Sequence, residues 1–279
     1  MNFPRILKKR KGYIDRIKPF MQKSVAKVLT GQRRVGKSFL LYQLIEEILA
    51  EEPDANIIYV NLEDFTFSSL QTAEDLHSYI ISHSKEKVKN YIFIDEIQDI
   101  PGFEKVIRSL LLNEDNDIYI TGSNAKMLSG ELATYLSGRY IEFKIYSLSY
   151  SEFLEFHGLT ESETSYELYS RYGGLPYLLN LPLEDETVNE YLKSVYSTIV
   201  FRDVVSRYKL RNTLFLEKLI QFLSENIGNL FSAKNISDYL KSQHTAISVN
   251  QIQSYTEYLN NAFLIHRVER YDLIGKRVF

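Results

Sequence analysis

Residues 31–38 read Gly-Gln-Arg-Arg-Val-Gly-Lys-Ser, the pattern G-x-x-x-x-G-K-[ST] of a phosphate-binding loop. That pattern demands a particular setting: a strand must deliver the chain into the loop and a helix must leave it. Both are present. Ala26–Thr30 is an apolar, strand-like run, and residues 39–49 have helical spacing. The glycines let the backbone curl until its N–H groups face phosphate oxygens, and the following helix adds its positive end. Lys37 is expected to bridge the β- and γ-phosphates, and the Ser38 hydroxyl to bind Mg²⁺. The expected contacts to ATP, or a close purine nucleotide, are therefore Gly31, Gln32, Arg33, Arg34, Val35, Gly36, Lys37, Ser38 and the first helical residue, Phe39. Arg33 and Arg34 face solvent or the phosphates and receive no role of their own.

Four more apolar runs follow: Asn56–Asn61, Tyr91–Asp95, Asp117–Thr121 and Tyr140–Ile145. They alternate with helix-like segments, which is the βαβ pattern of a parallel sheet. Four of the five runs are mainly apolar, as in strands covered on both faces. The third run ends in Asp95-Glu96. An apolar strand ending in two acids, a strand further on than the phosphate loop, is the Walker B arrangement. Asp95 is expected in the Mg²⁺ shell, and Glu96 as the general base that polarises the attacking water. Glu63 and Asp64 end the preceding strand, where they touch the water or a partner or form a solvated turn. The fourth run ends in Gly122-Ser123-Asn124. In ATPases with a strand inserted between the phosphate-loop and Walker B strands, a polar residue here orients the water and senses the γ-phosphate. Ser123 and Asn124 both qualify; as helix caps they would do neither. Arg139 precedes the fifth run, where an arginine can reach a neighbouring subunit's γ-phosphate or form a surface salt bridge.

Helical spacing takes over from about Ser149 to Tyr208, interrupted by Gly173-Gly174 and Pro176. A third pattern starts at Thr213: an amphipathic helix over residues 214–227, a short helix capped by Ser232 and ending at Leu240, and a helix from the Ser248/Gln251 capping box to about Asn261. Residues 263–271 and 276–279 read as a hairpin. Three helices and a hairpin make a winged helix, and its last strand stops at the chain end, as in a fragment of something longer. The expected domains are an α/β core over 1–148, a helical lid over 149–211 and the winged helix over 212–279.

The chain has no cysteine, which excludes disulfide scaffolds, thiol nucleophiles and cysteine-bound zinc and fits the cytosol. No apolar run approaches the length of a membrane helix. The net charge of −3 hides an asymmetry. Residues 1–37 carry 12 Lys/Arg against one acid, which suggests an anionic partner, although the run Lys8–Lys11 reads more simply as a solvated face. His244 and His266 lack metal-ligand companions and receive no metal role.

Taken together these pieces resemble the prokaryotic AAA+-type P-loop ATPases that carry a winged helix and a further carboxyl-terminal domain. The matching residues are Gly31–Ser38, Ile94-Asp-Glu-Ile-Gln98, Thr121-Gly-Ser-Asn124, Leu136-Ser-Gly-Arg139, Leu148-Ser-Tyr-Ser-Glu-Phe153, Tyr172-Gly-Gly-Leu-Pro176 and Phe201-Arg-Asp203. The resemblance implies an α/β P-loop NTPase sheet of order 5-1-4-3-2, with ATP and Mg²⁺ as ligands. It also implies that Pro176, and more loosely Gly174, lies near the adenine. Arg202-Asp203 matches a recurring pair without assigning it a role. The further carboxyl-terminal domain is missing from this reading of the chain.

Three functions follow as expectations. The first is a regulatory ATPase whose nucleotide state moves the lid and winged helix, with self-association through Arg139. The second is a DNA-associated ATPase of a mobile element or defence system. The third is a nucleotide-binding module with negligible turnover. DNA affinity needs cations facing phosphates, and no Lys or Arg occurs between Ser242 and His266. A protein partner of the winged helix is therefore favoured over DNA, and no membrane partner is expected.

Overall fold

The computed structural model describes residues 8–124, 135–136, 138–242 and 247–268. The chain divides into two compact units, Met1–Lys193 and Ser194–Phe279.

In the first unit, helix α1 (Lys11–Ile17) precedes a sheet of five parallel strands: β1 (Ala26–Thr30), β2 (Asn56–Asn61), β3 (Asn90–Asp95), β4 (Asn116–Gly122) and β5 (Tyr140–Lys144). Their order is β2-β3-β4-β1-β5, which is 5-1-4-3-2 read from the other edge. Helices α2 (Lys37–Glu51), α3 (Ala73–His83) and α4 (Phe103–Leu110) provide the crossovers. The three inner strands are buried along their whole length, while β2 and β5, at the edges, alternate or lie part-exposed. On one face Val28, Ile58, Val60, Ile92, Ile94 and Ile120 pack against the apolar sides of α3 and α4. Each such side chain contributes about 1.5–3 kcal/mol on burial.

One polar exception sits inside this sheet. Lys27 and Asp117 form an ion pair with neither side chain exposed. Tyr119 and the Gln22 backbone N–H donate to the same carboxylate, each at 2.8 Å. Burial pulls the lysine's pKa down against the pull of Asp117.

After β5 come α5 (Tyr150–His157) and α6 (Glu163–Tyr172), each opened by a serine capping box, Ser149/Glu152 and Ser162/Ser165. A 3₁₀ turn, Pro176–Asn180, leads to α7 (Asp185–Thr198). Leu148, Phe153 and Phe156 form a small apolar cluster with Leu168 and Tyr169.

In the second unit α7 continues as a π-helical stretch, Ile199–Ser206, which periodicity does not predict. It is followed by α8 (Thr213–Glu225), α9 (Ala233–Ser242) and α10 (Val249–Asn261). The Ser248/Gln251 capping box opens α10 as expected. Helix α8 stops two residues before the expected end, because the Asn226 side-chain amide donates to the Phe222 carbonyl and closes the last turn. The hairpin is not as read. Phe263 is left-handed at φ 56° and residues 263–268 form a turn and coil rather than a strand. The remainder of the expected wing lies outside the described residues.

Candidate functional site

Parallel strands in this order bring the loops after β1, β3 and β4 to one edge. Thr30 is in register with Gly122, and Asn61 with Asp95. The crevice outside the carboxyl ends of such strands, where the strand order reverses, is where α/β sheets hold ligands.

The phosphate loop is shaped by its glycines. A Cβ on Gly31 would fall 2.1 Å from the Ile145 carbonyl oxygen, and Gly36 stands at φ 93° as the residue before α2. The Lys37 ammonium donates to the carbonyls of Gly31 and Gln32, both at 3.0 Å, so it lies over its own loop. It also pairs with the Glu96 carboxylate, at 3.8 Å. Arg33 pairs with Glu63 at 3.1 Å. Arg34 is exposed and left-handed, Gln32 is half-buried, and Phe39 points outward at 47% exposure. Asp64 belongs to a turn, accepting from the Thr66 N–H at 2.9 Å.

Asp95 and Glu96 are both buried, and their surroundings push them in opposite directions. Burial drives the Asp95 carboxyl up, only partly offset by hydrogen bonds from Ser38 and Thr121. Burial would raise Glu96 too, but Lys37, the Gln98 amide, Arg33 and the Ser123 hydroxyl outweigh it, and its pKa is lowered. Gln98 and Ser123 both donate to the same Glu96 oxygen, at 2.5 and 3.1 Å. Glu96 itself is left-handed, at φ 57°, and its N–H donates to the Thr121 hydroxyl at 3.0 Å. That hydroxyl in turn donates to Asp95. Tyr59 also donates to Asp95, at 3.3 Å, completing a buried polar network.

The expected residues therefore divide. Lys37, Ser38, Asp95, Glu96 and Ser123 share one cluster, with buried Asn124 beside it in sequence. Pro176 approaches the loop, its ring carbon 3.7 Å from where a Gly36 Cβ would be. Arg139 is not brought to this cluster. Its carbonyl accepts from the Ala26 N–H, so it sits at the start of β1, a strand's length from the loop, and is exposed. Sequence reading gave no role to Thr121 and Gln98, although both stand in the matching motifs, and missed Tyr59 and Arg10. Arg10 corrects the expectation of a solvated Lys8–Lys11 run: it is buried, and Lys8 donates to the Phe156 carbonyl.

The arrangement fits the implied ligands. Glycine is required where the loop backbone approaches the Ile145 carbonyl and where it turns left-handed at Gly36, and the resulting curled backbone is what a phosphate cradle needs. A hydroxyl and a carboxylate in hydrogen-bond contact, Ser38 and Asp95, are the oxygen donors a Mg²⁺ ion shares with phosphates. No group of three acidic or histidine side chains suited to an all-protein metal cage occurs among the described residues.

A family model described as an AAA domain matches residues 23–154, the stretch holding the sheet, the loop and the acidic pair. An uncharacterized protein of Haemophilus influenzae is 38% identical over 279 residues, spanning 96% of this chain and 68% of its own length. The chain belongs to this family of AAA-domain proteins. Another member, the uncharacterized protein MJ1544 of Methanocaldococcus jannaschii, is 32% identical over 265 residues, covering 90% of this chain and 58% of its own length. The AAA-domain chain is thus shorter than both relatives. A second model, a domain of unknown function, matches residues 163–278. Among solved structures, the Aeropyrum pernix ORC1 protein in complex with DNA aligns at a TM-score of 0.43, with 13% identity, over 96% of this chain and 87% of that one. No helix among the described residues is long and apolar enough to cross a membrane.

Proposed function

We propose that this protein is a cytosolic regulatory ATPase: it binds Mg·ATP at residues 31–39, hydrolyses it, and couples nucleotide state to movement of the helical segment 149–211 and the winged-helix region 212–279. The observation that carries this is the convergence of Lys37, Ser38, Asp95 and Glu96 at one strand edge, with Glu96 kept in its charged form beside the lysine. Bound magnesium, held by Ser38 and Asp95, would neutralise phosphate charge. Glu96, ionised at neutral pH, accepts a proton from water. The water oxygen bonds to the γ-phosphorus as the bond to the β–γ bridging oxygen breaks, and ADP and phosphate leave. Lys37 offsets charge on the phosphates. Ser123 holds the second Glu96 oxygen, and Asn124 serves the γ-phosphate beside it. Pro176 flanks the adenine. Arg139, remote from its own loop, acts only on a neighbouring copy's nucleotide. The absence of Lys and Arg from α10 favours a protein partner over DNA.

Calorimetry and phosphate release test this. Lys37→Ala should weaken Mg·ATP binding by about 10- to 100-fold, the worth of a charged hydrogen-bond donor. Glu96→Gln should retain binding and lose about 10²–10⁴ in turnover. Unchanged binding in the first variant, or unchanged turnover in the second, refutes the reading. Turnover that depends on added DNA would replace the protein partner by a nucleic acid.

A further inference from the structure

A heavily engaged, buried cation among the described residues of the first unit lies outside every motif. Arg10 is 4% exposed. Its Nε and Nη2 donate to the two Glu152 carboxylate oxygens, each at 2.8 Å. Its Nη1 donates to the Tyr146 carbonyl at 2.8 Å and to the Val35 carbonyl, inside the phosphate loop, at 3.2 Å. Tyr13 lies under the guanidinium, 4.5 Å from ring centroid to carbon. The backbone around it is fixed from α2: the Arg10 N–H donates to Gln43, and the Gln43 amide donates to the Lys8 carbonyl, both at 3.0 Å. Glu152 is held as an anion, its burial outweighed by Arg10 and the Ser149 cap.

Glu152 is also half of the capping box that starts α5. Just before it, the Leu148 N–H donates to Gly174 at 2.7 Å, and Tyr169 donates to the Leu148 carbonyl at 2.9 Å. A contiguous set of bonds therefore runs from the glycine pair before Pro176, through Leu148 and Glu152, to Arg10, and from there to Val35. A planar fork with five donors can hold a carboxylate and carbonyls together, which an ammonium cannot.

We propose that Arg10 is a positioning residue for the nucleotide: by tying the Val35 carbonyl of the phosphate loop to Glu152 at the start of α5, it sets the shape of the loop and the placement of the helical segment together. The inference rests on the proposed nucleotide site. Coupling through such a network is worth enough to change affinity by about tenfold when it is cut.

The test uses the full chain with Arg10→Gln, Arg10→Lys, Glu152→Gln and the double variant Arg10→Gln/Glu152→Gln, with Lys37→Ala as control. Mg·ATP affinity is measured by calorimetry well below each variant's melting temperature. Arg10→Gln should lose about tenfold, Arg10→Lys should fail to restore it, and the double variant should be no worse than Arg10→Gln alone, as for two members of one network. A purely structural Arg10 would lower the melting temperature and leave affinity unchanged, which overturns the proposal. Should Arg10→Gln not fold, Arg10→Lys and Glu152→Gln decide: wild-type affinity in both overturns it, and weakened affinity in either upholds it. If Lys37→Ala binds normally, the nucleotide site itself fails, a result distinct from a silent Arg10.

Discussion

Glu47, on α2, receives ammonium groups from both Lys9 and Lys18, at 2.6 and 2.8 Å. These hydrogen bonds hold its carboxyl at about 2, from an ordinary 4.5. A depressed carboxyl contributes stability that is complete above the unfolded value and disappears as pH falls toward the folded one. Glu47→Gln should therefore be less stable than the parent at pH 7, by no more than about 1 kcal/mol for such partly exposed pairs. The gap should shrink between pH 5 and pH 3. Urea midpoints measured across that range check it, and a gap that stays constant with pH contradicts the assignment. At this scale the sequence was legible where a side chain's partners are close along the chain or fixed by a motif, as with Lys37 and Ser38. It was opaque for Arg10, whose carboxylate partner lies 142 residues away. Nothing in residue spacing distinguishes such a buried arginine from its solvated neighbours. Thr121 was hidden for a similar reason: a threonine in a strand reads as strand propensity until the register sets it between Asp95 and Glu96.

Among elements, the turn at Gly174 is under a steric constraint close to that at Gly31. A Cβ there would sit 2.3 Å from the Leu148 carbonyl oxygen and 3.0 Å from its nitrogen, both backbone atoms. Gly174→Ala must push the two segments apart and break the Leu148–Gly174 bond, at a cost of about 1–3 kcal/mol. Denaturant melts should register that loss, while Gly12→Ala, in α1, where the new carbon meets nothing within 4 Å, serves as the clash-free comparison and should be as stable as the parent or slightly more so, alanine being the better helix former. A Gly174→Ala chain as stable as its parent would mean the approach is looser than described. The five strands were readable because continuous apolar runs have few other homes: two match the expected bounds and the other three differ by a single residue at one or both ends. The π-helical stretch was not readable, since a local widening of the helix leaves the apolar spacing of the sequence nearly intact. The wing was misread at Phe263, where aromatic and branched residues suggested a strand and a left-handed turn intervened.

For the whole molecule, the proposed coupling of nucleotide to the carboxyl-terminal helices makes a prediction spanning both compact units. In the Glu96→Gln variant, hydrogen exchange over residues 194–268 should differ between saturating ATP and saturating ADP. Identical exchange in the two states would leave an ATPase without that coupling. Length and motif order revealed an α/β unit followed by helices, but a partner surface has no such signature, because exposed residues answer to a molecule the sequence does not contain. Stability and turnover, also properties of the entire chain, conflict at Glu96. Its left-handed backbone is one that glycine adopts without strain and glutamate does not, so the residue proposed for the chemistry occupies a place the fold would sooner give to another. A library sorted for heat resistance and one sorted for phosphate release should thus drive codon 96 in opposite directions.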